Sequence, residues 1–251
     1  MTPDAIPPPP SATPWSLKHL HRLIVTSATY RQSSRARADL HAIDANNKLL
    51  ARQSRLRLDA EIVRDVGLAA SGLLNDQIGG PGVFPPQPDG VMTLGQSKRD
   101  WKASTGADRY RRGLYTHYWR ATPHPALAVF DAPDAFSACT RRLRSNTPLQ
   151  ALTLLNDQQF YELAQGLAAR VLREVPGSDD ARLERAFRLC LARQPTSAEQ
   201  KRLLDLLKTT SLPTEAAPEV KPPPGVTAQE WIAWTTIARV LLNLDETITR
   251  E

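Results

Sequence analysis

The sequence predicts a mainly α-helical, bundle-like single domain with a small β element near residues 112–120. Apolar residues recur at helical spacing through most of the chain, and several of these stripes follow a Ser or Thr that can cap a helix. Strand-like alternation is confined to the segment RGLYTHYWR, which places its side chains on two opposite faces. With 251 residues, the chain is long enough to bury one core.

The first 14 residues contain six prolines and little that can pack, so we expect a disordered leader at 1–14 and one helical domain at 15–251. The leader has no basic region followed by an apolar stretch, which is the pattern of a secretory signal. We also find no apolar run of the roughly 18 residues that a membrane span needs. The residues themselves therefore leave the localisation unknown.

The helices follow in order, and most begin at a recognisable cap. Between them the sequence predicts a long Pro- and Gly-rich loop at 79–108 and a linker with five prolines at 211–225. The predicted helices lie at about 16–29, 59–74, 148–155, 158–173, 179–192, 197–208 and 228–249.

Basic charge is concentrated in the first three fifths of the chain. Residues 1–150 carry 20 Lys and Arg against 12 Asp and Glu, whereas residues 151–251 carry 12 against 14. Arginine supplies 25 of the 32 basic residues. Guanidinium groups suit forked pairing with carboxylates, phosphates or sulfates, so the surplus indicates internal ion pairs or an anionic partner.

The candidate binding residues come from segments in which arginines alternate with aromatic residues. Three interpretations stay open: internal pairing with acids such as Asp59, Glu61 and Asp65, an anionic glycan, or single-stranded nucleic acid. Asp131 is the expected counter-charge of the arginines in the first interpretation. The candidates are Arg111, Arg112, His117, Trp119, Asp131, Arg141 and Arg142.

Familiar catalytic motifs are absent from the sequence, including the dinucleotide, P-loop, zinc-protease and nucleophile-elbow patterns. Cys139 and Cys190 stand apart with no second Cys nearby, so we predict no metal site and no cofactor in this chain; whether the two cysteines pair stays open. A glycoside hydrolase needs two nearby carboxyl groups, for which Asp131, with His117 close by, is the best candidate.

Six blocks extend from the first helix to the end of the chain and resemble one family. The blocks are LIVTSATYRQSS (23–34), NKLLARQSRLRLDAEIVRD (47–65), YRRGLYTHYWR (110–120), FDAPD (130–134), NTPLQALTLLND (146–157) and LLNLDE (241–246). Their order and content are similar to the planctomycete cytochrome-c-associated family, domain of unknown function 1553.

The resemblance implies the C-terminal part of a large secreted or cell-envelope protein whose activity is not established. Relative to that plan we expect the chain to be truncated at its N-terminus, with another protein or the missing N-terminal domains as its partner. We therefore predict an accessory or interaction module that is not enzymatic by itself. The alternative is a glycan-binding or carbohydrate-active hydrolase domain, and nucleic-acid binding through the Arg and aromatic cluster comes third.

Overall fold

The computed structural model describes residues 15–40, 42–94, 99–210 and 220–250. The chain divides into two compact units, a first that ends at Leu56 and a second from Arg57 to Arg250. The predicted leader at 1–14 and residues 211–219 of the predicted linker lie outside the described residues.

The first unit contains one helix, α1 (Leu17–Thr26), among its described residues. Ser16 caps this helix, because its hydroxyl accepts the backbone N–H of His19. A single 3₁₀ turn follows at Ala38–Leu40. Helix α1 buries none of its side chains, so its structure depends on local hydrogen bonds.

The described part of the second unit contains seven α-helices, and the prediction of a mainly α-helical fold is confirmed. The long helix α5 lies at the centre, buried over most of its length, and packs against α2, α4, α6 and α8. The seven helices are α2 (Ala60–Ser71), α3 (Pro125–Val129), α4 (Pro148–Asn156), α5 (Gln158–Glu174), α6 (Asp179–Leu191), α7 (Ser197–Thr209) and α8 (Ala228–Leu242).

None of the helices in the described ranges is long and apolar enough to cross a membrane.

Two short strands, β1 (Leu56–Arg57) and β2 (Thr249–Arg250), form a two-stranded sheet. Beside it, the backbone N–H of Leu58 donates to the carbonyl of Ile248 over 2.9 Å. The Arg57 guanidinium also donates to the carboxylate of Asp245 at 2.6 Å. The beginning and the end of the second unit are therefore tied together.

The predicted β element at 112–120 is wrong in its position. Residues Gly113–Tyr115 form a 3₁₀ turn, and Thr116 makes an isolated parallel bridge with Val83. The backbone N–H of Gly113 donates to the Asp65 carboxylate of α2 at 2.6 Å. Asp65 thus holds Gly113 against α2, and the backbone pairing of residues 111–117 consists of isolated bridges of Arg111 with Asn75 and of Thr116 with Val83.

Three helices end earlier than predicted, and the first is α1, which ends at Thr26 and not near residue 29. Helix α2 ends at Gly72, whose φ of 74° is the left-handed conformation that closes a helix, and does not continue to residue 74. Helix α8 ends at Leu242 and not near 249, because a 3₁₀ turn at Asp245–Ile248 follows it. The hydroxyl of Thr247 folds back and donates to the Leu241 carbonyl at 2.7 Å, which satisfies the helix end.

The described part of the predicted loop at 79–108 contains 3₁₀ turns at Val91–Leu94 and Gly106–Tyr110. The two ends of this loop are hydrogen-bonded to each other, because the Phe84 carbonyl accepts the backbone N–H of Ser104 at 2.8 Å. The short helix α3 was not among the predicted helices, because a five-residue helix that begins with proline shows no apolar stripe.

Candidate functional site

Arg111, the first candidate residue, is a buried structural side chain. It is 1% exposed, and its guanidinium donates to the carbonyls of Gln77, Gly79 and Pro81, at 3.1 Å for Gln77 and Pro81. The same group lies over the Tyr115 ring at 3.8 Å from the ring centre. The Arg111 side chain therefore fastens the loop after α2 and is not available to a ligand.

Arg112 and Arg142 pair with acids of helix α2, as the internal-pairing interpretation predicts. Arg112 donates to Asp65 at 2.8 Å, and Arg142 makes two hydrogen bonds to Glu61, at 2.6 and 3.1 Å. Burial, the largest single effect, raises the pKa of Glu61, but the hydrogen bonds from Arg142, a backbone hydrogen bond and the Arg142 charge together hold that pKa below its usual value.

Arg141 lies beside Arg142 in sequence but does not join these pairs. Its side chain is exposed, and it forms no ion pair within the part of the chain that the structure describes. Its neighbour Arg144 instead reaches Asp59, at 3.5 Å. The four candidate arginines therefore do not form one cluster.

The prediction that Asp131 is the counter-charge of these arginines is wrong. One Asp131 carboxylate oxygen accepts both the backbone N–H and the hydroxyl of Ser145, each at 2.7 Å. Asp131 has a φ of 61°, in the left-handed region, just after helix α3. Its carboxylate fixes the start of the segment that leads into α4, so its role is to hold two loops together.

Sequence reasoning missed the most deeply buried acid of the unit, Glu162, on helix α5. The Arg109 guanidinium donates to both of its carboxylate oxygens, at 2.8 and 2.9 Å, and the Tyr110 hydroxyl donates at 2.6 Å. The Glu162 side chain is 3% exposed. Glu162 lies opposite the apolar stripe formed by Phe160, Leu163, Leu167 and Val171, so its burial had no signal in the sequence. It is buried because α5 is covered on nearly all sides, and a charged residue there must be paired.

Arg64 on helix α2 was missed for the same reason. Its guanidinium donates to the carbonyl of Arg109 at 2.7 Å, to the carbonyl of Arg111 at 3.3 Å and to the side chain of Gln159. Burial lowers the pKa of Arg64 to about 10, which leaves the group charged at neutral pH. Arg64 and Glu162 therefore lock the segment 109–111 between helices α2 and α5.

The remaining two candidates, His117 and Trp119, belong to an aromatic cluster. The His117 ring stacks on Phe84 with centroids 4.8 Å apart and meets the Trp119 ring edge-on at 4.5 Å. Trp101 packs between Phe84 and His124, at 5.1 and 5.5 Å. The ring nitrogen Nε2 of His117 is buried and has no hydrogen-bond partner among the described residues.

A cleft of about 420 Å³ opens beside this cluster. The guanidinium of Arg99 lies over the Trp119 ring, 4.1 Å from its centre, and Arg120 stands on the adjacent wall. The indole Nε1 of Trp119 is buried without a partner among the described residues. The cleft is lined by Met92, Arg99, Tyr118, Trp119, Arg120, Ala121 and Thr122, which include no carboxylate.

A family model for PSD1, a protein of unknown function (DUF1553), matches residues 11–207. The chain belongs to the PSD1 family. All seven candidate residues, from Arg111 to Arg142, lie within the matched range of this PSD1 sequence. No curated protein and no solved structure matches the chain.

Metal ligation is not indicated for the part of this PSD1 chain that the structure describes. Over the described ranges, no group of three or more His, Cys, Asp or Glu side chains is placed to hold an ion. Cys139 and Cys190 are both free; Cys139 is exposed, and burial raises the pKa of Cys190 to about 12. Two features remain as candidates for function. They are the internally paired arginines and the cleft beside Trp119, whose charged lining residues are the cations Arg99 and Arg120.

Proposed function

We propose that this chain is a non-enzymatic accessory module of a cell-envelope protein and acts by binding. In this proposal its partner is another envelope protein or the N-terminal domains that precede such modules in the family, and it works without a cofactor of its own. We also propose that the longer protein has the domain order of the planctomycete cytochrome-c-associated family that the sequence resembles.

The observation that supports the proposal is that the acids of the second unit accept hydrogen bonds from other side chains of the unit. A hydrolase of the two-carboxylate type needs a pair of acids facing a substrate. Here Glu61, Asp65 and Glu162 each accept hydrogen bonds from arginine. Asp131 is engaged by Ser145, and the cleft is lined by cations. This arrangement stabilises a scaffold and does not favour turnover.

A second candidate function, glycan binding, is favoured by the cleft beside Trp119. Two guanidinium groups and two aromatic rings line it, and this combination is suited to an anionic sugar. Nucleic-acid binding is less well supported, since base stacking needs an open ring face. The Arg99 guanidinium covers one face of Trp119, and the His117 ring packs against the same indole.

The proposal is tested by measuring turnover and binding on the same preparation. The purified protein is incubated with sulfated, uronate-containing and neutral polysaccharides, and the release of reducing ends is measured beside an Asp131→Asn variant. We expect no release above that of the variant. Separately, titration calorimetry with the N-terminal domains of a longer family member is expected to show binding. Turnover that disappears in Asp131→Asn would overturn the proposal.

A further inference from the structure

We infer that the cleft between Arg99 and Arg120 binds a carboxylated or sulfated sugar unit. The inference rests on the second candidate under the proposed function, glycan binding by a module that does not turn over its ligand. It names the site and the ligand class that the binding function requires. We call the site the Arg99–Arg120 cleft, lined also by Met92, Tyr118, Trp119 and Thr122.

The charge of the cleft differs from that of the scaffold. The scaffold arginines Arg109, Arg112 and Arg142 each contact a carboxylate at 2.8 Å or less. By contrast, neither Arg99 nor Arg120 forms an ion pair or a hydrogen bond within the described ranges, although both side chains are exposed at the cleft. Two guanidinium groups without a counter-ion at the same opening attract an oxyanion, which they can bind by forked hydrogen bonds.

The hydrogen-bonding character of the wall is biased towards donors. The guanidinium groups of Arg99 and Arg120 can only donate hydrogen bonds. The Tyr118 hydroxyl is already used, since it donates to the Pro133 carbonyl at 2.9 Å. The cleft is therefore complementary to a ligand rich in acceptor oxygens.

The size and shape of the cleft favour a compact unit over an extended strand. Its volume of about 420 Å³ falls in the range of about 300–1,000 Å³ that small-molecule sites occupy. One ring face of Trp119 is covered by Arg99, which leaves no room there for a stacked base. A sugar ring that carries a carboxylate or sulfate supplies both the anionic group and the hydroxyls that such a wall can engage.

The experiment measures binding of the purified full chain to labelled hexasaccharides by fluorescence anisotropy. The probes are a sulfated hexamer, a hexamer of galacturonate, a neutral glucose hexamer and a six-nucleotide oligothymidylate. We expect the two acidic sugars to bind and the neutral one to bind at least tenfold more weakly. Competition with inorganic sulfate separates recognition of the sugar from recognition of a free anion, and we expect sulfate at the same concentration not to displace the sugars.

The variants identify the cleft as the site. Arg99→Gln and Arg120→Gln are each expected to weaken binding of the acidic hexamers by about tenfold, because each removes a charge-assisted contact. Arg173→Gln is the charge-matched control: Arg173 is exposed on α5 and does not line the cleft, so affinity should stay within twofold.

Three results would overturn the inference: equal affinity for the neutral hexamer, equal or tighter binding of the oligothymidylate, or acidic-sugar binding that Arg99→Gln and Arg120→Gln leave unchanged. Absence of binding to every probe, by a protein whose thermal unfolding is cooperative, would overturn it as well. None of these results shows turnover, so they are distinct from the reducing-end release that would overturn the proposed function.

Discussion

The Arg109 guanidinium and the Glu162 carboxylate form a two-point ion pair between the segment before the 3₁₀ turn at Gly113 and the central helix α5, with N–O distances of 2.8 and 2.9 Å. The Tyr110 hydroxyl adds a third donor to the same carboxylate at 2.6 Å. Because Glu162 is 3% exposed, its charge is compensated by these groups and not by water.

Replacing Glu162 by Gln should therefore destabilise the protein strongly. The amide presents one acceptor in place of two and removes the negative charge that the Arg109 guanidinium contacts, which costs about 3 kcal/mol in a buried pair. Urea unfolding followed by circular dichroism measures the loss.

The control is Glu174→Gln, which removes an acid paired with Arg170 and Arg185 at an exposed position of the same helix. Pairs of that kind contribute about 1 kcal/mol or less. If the two variants lose equal stability, the structural importance of Glu162 is refuted.

Arg111→Lys should loosen the loop after α2 although it keeps the positive charge. An ammonium group is a compact point charge and cannot reproduce the forked contacts with Gln77, Gly79 and Pro81 or lie flat on Tyr115. We expect a loss of about 2 kcal/mol in the free energy of unfolding. Hydrogen exchange at the Gly79 amide, which donates to the Tyr115 hydroxyl at 2.8 Å, should also accelerate. Unchanged exchange at Gly79 would contradict this role.

Gly113 is required because the turn lies directly on helix α2. A Cβ atom at this position would stand 2.5 Å from the Glu61 carbonyl oxygen and 2.7 Å from its Cα, and backbone atoms cannot move aside cheaply. Gly113→Ala should cost about 2 kcal/mol or more in thermal unfolding. At Gly106, in the preceding 3₁₀ turn, a Cβ meets open space, so Gly106→Ala carries only the strain of its φ of 58°, about 1 kcal/mol. A larger cost at Gly106 than at Gly113 would refute this packing argument.

His124 should make stability depend on pH between about 6.5 and 4. Its ring is buried and bonded to the Pro86 carbonyl through Nε2 at 2.9 Å; burial lowers its pKa from 6.5 to about 4. Between pH 6.5 and 4, His124 is protonated in the unfolded chain but not in the folded chain. The free energy of unfolding is therefore highest above pH 6.5 and falls as the pH drops towards 4. The full effect is about 3 kcal/mol.

The measurement for His124 compares urea unfolding of the protein and of His124→Gln from pH 7 to pH 4. Glutamine can donate to Pro86 through its amide but does not titrate, so the variant should have the flatter curve over this interval. Parallel curves would show that His124 does not carry the dependence.

The helices were predictable because their stripes and caps are local. Thr196 and Glu199 form the complete capping box that their spacing indicates. The similar pattern at Thr147 forms no side-chain cap. There Gln150 is turned inward instead, where its amide donates to the Val129 carbonyl at 3.1 Å. The same Thr-x-x-Glu/Gln pattern thus forms a capping box in one helix and not in the other. Tertiary packing decides between the two outcomes, which a local pattern cannot show.

The candidate site was predictable only in part. The sequence pointed to internal pairing of Arg112 and Arg142 with acids, but charge alone did not select Ser145 as the partner of Asp131. The cleft combines Trp119 and Arg120 with Arg99, which comes from the loop at 79–108. No periodicity connects residues on a loop to a distant turn, so this juxtaposition had no sequence signal.

The ion pair between Arg57 and Asp245, which joins the beginning and the end of the second unit, has a consequence for the order in which the unit folds. Arg57 and Asp245 are 188 residues apart, so their contact closes a loop almost as long as the unit itself. Chain entropy opposes such closure until the intervening helices have condensed. We therefore expect this contact to form in the last steps of folding, after α8 has left the ribosome.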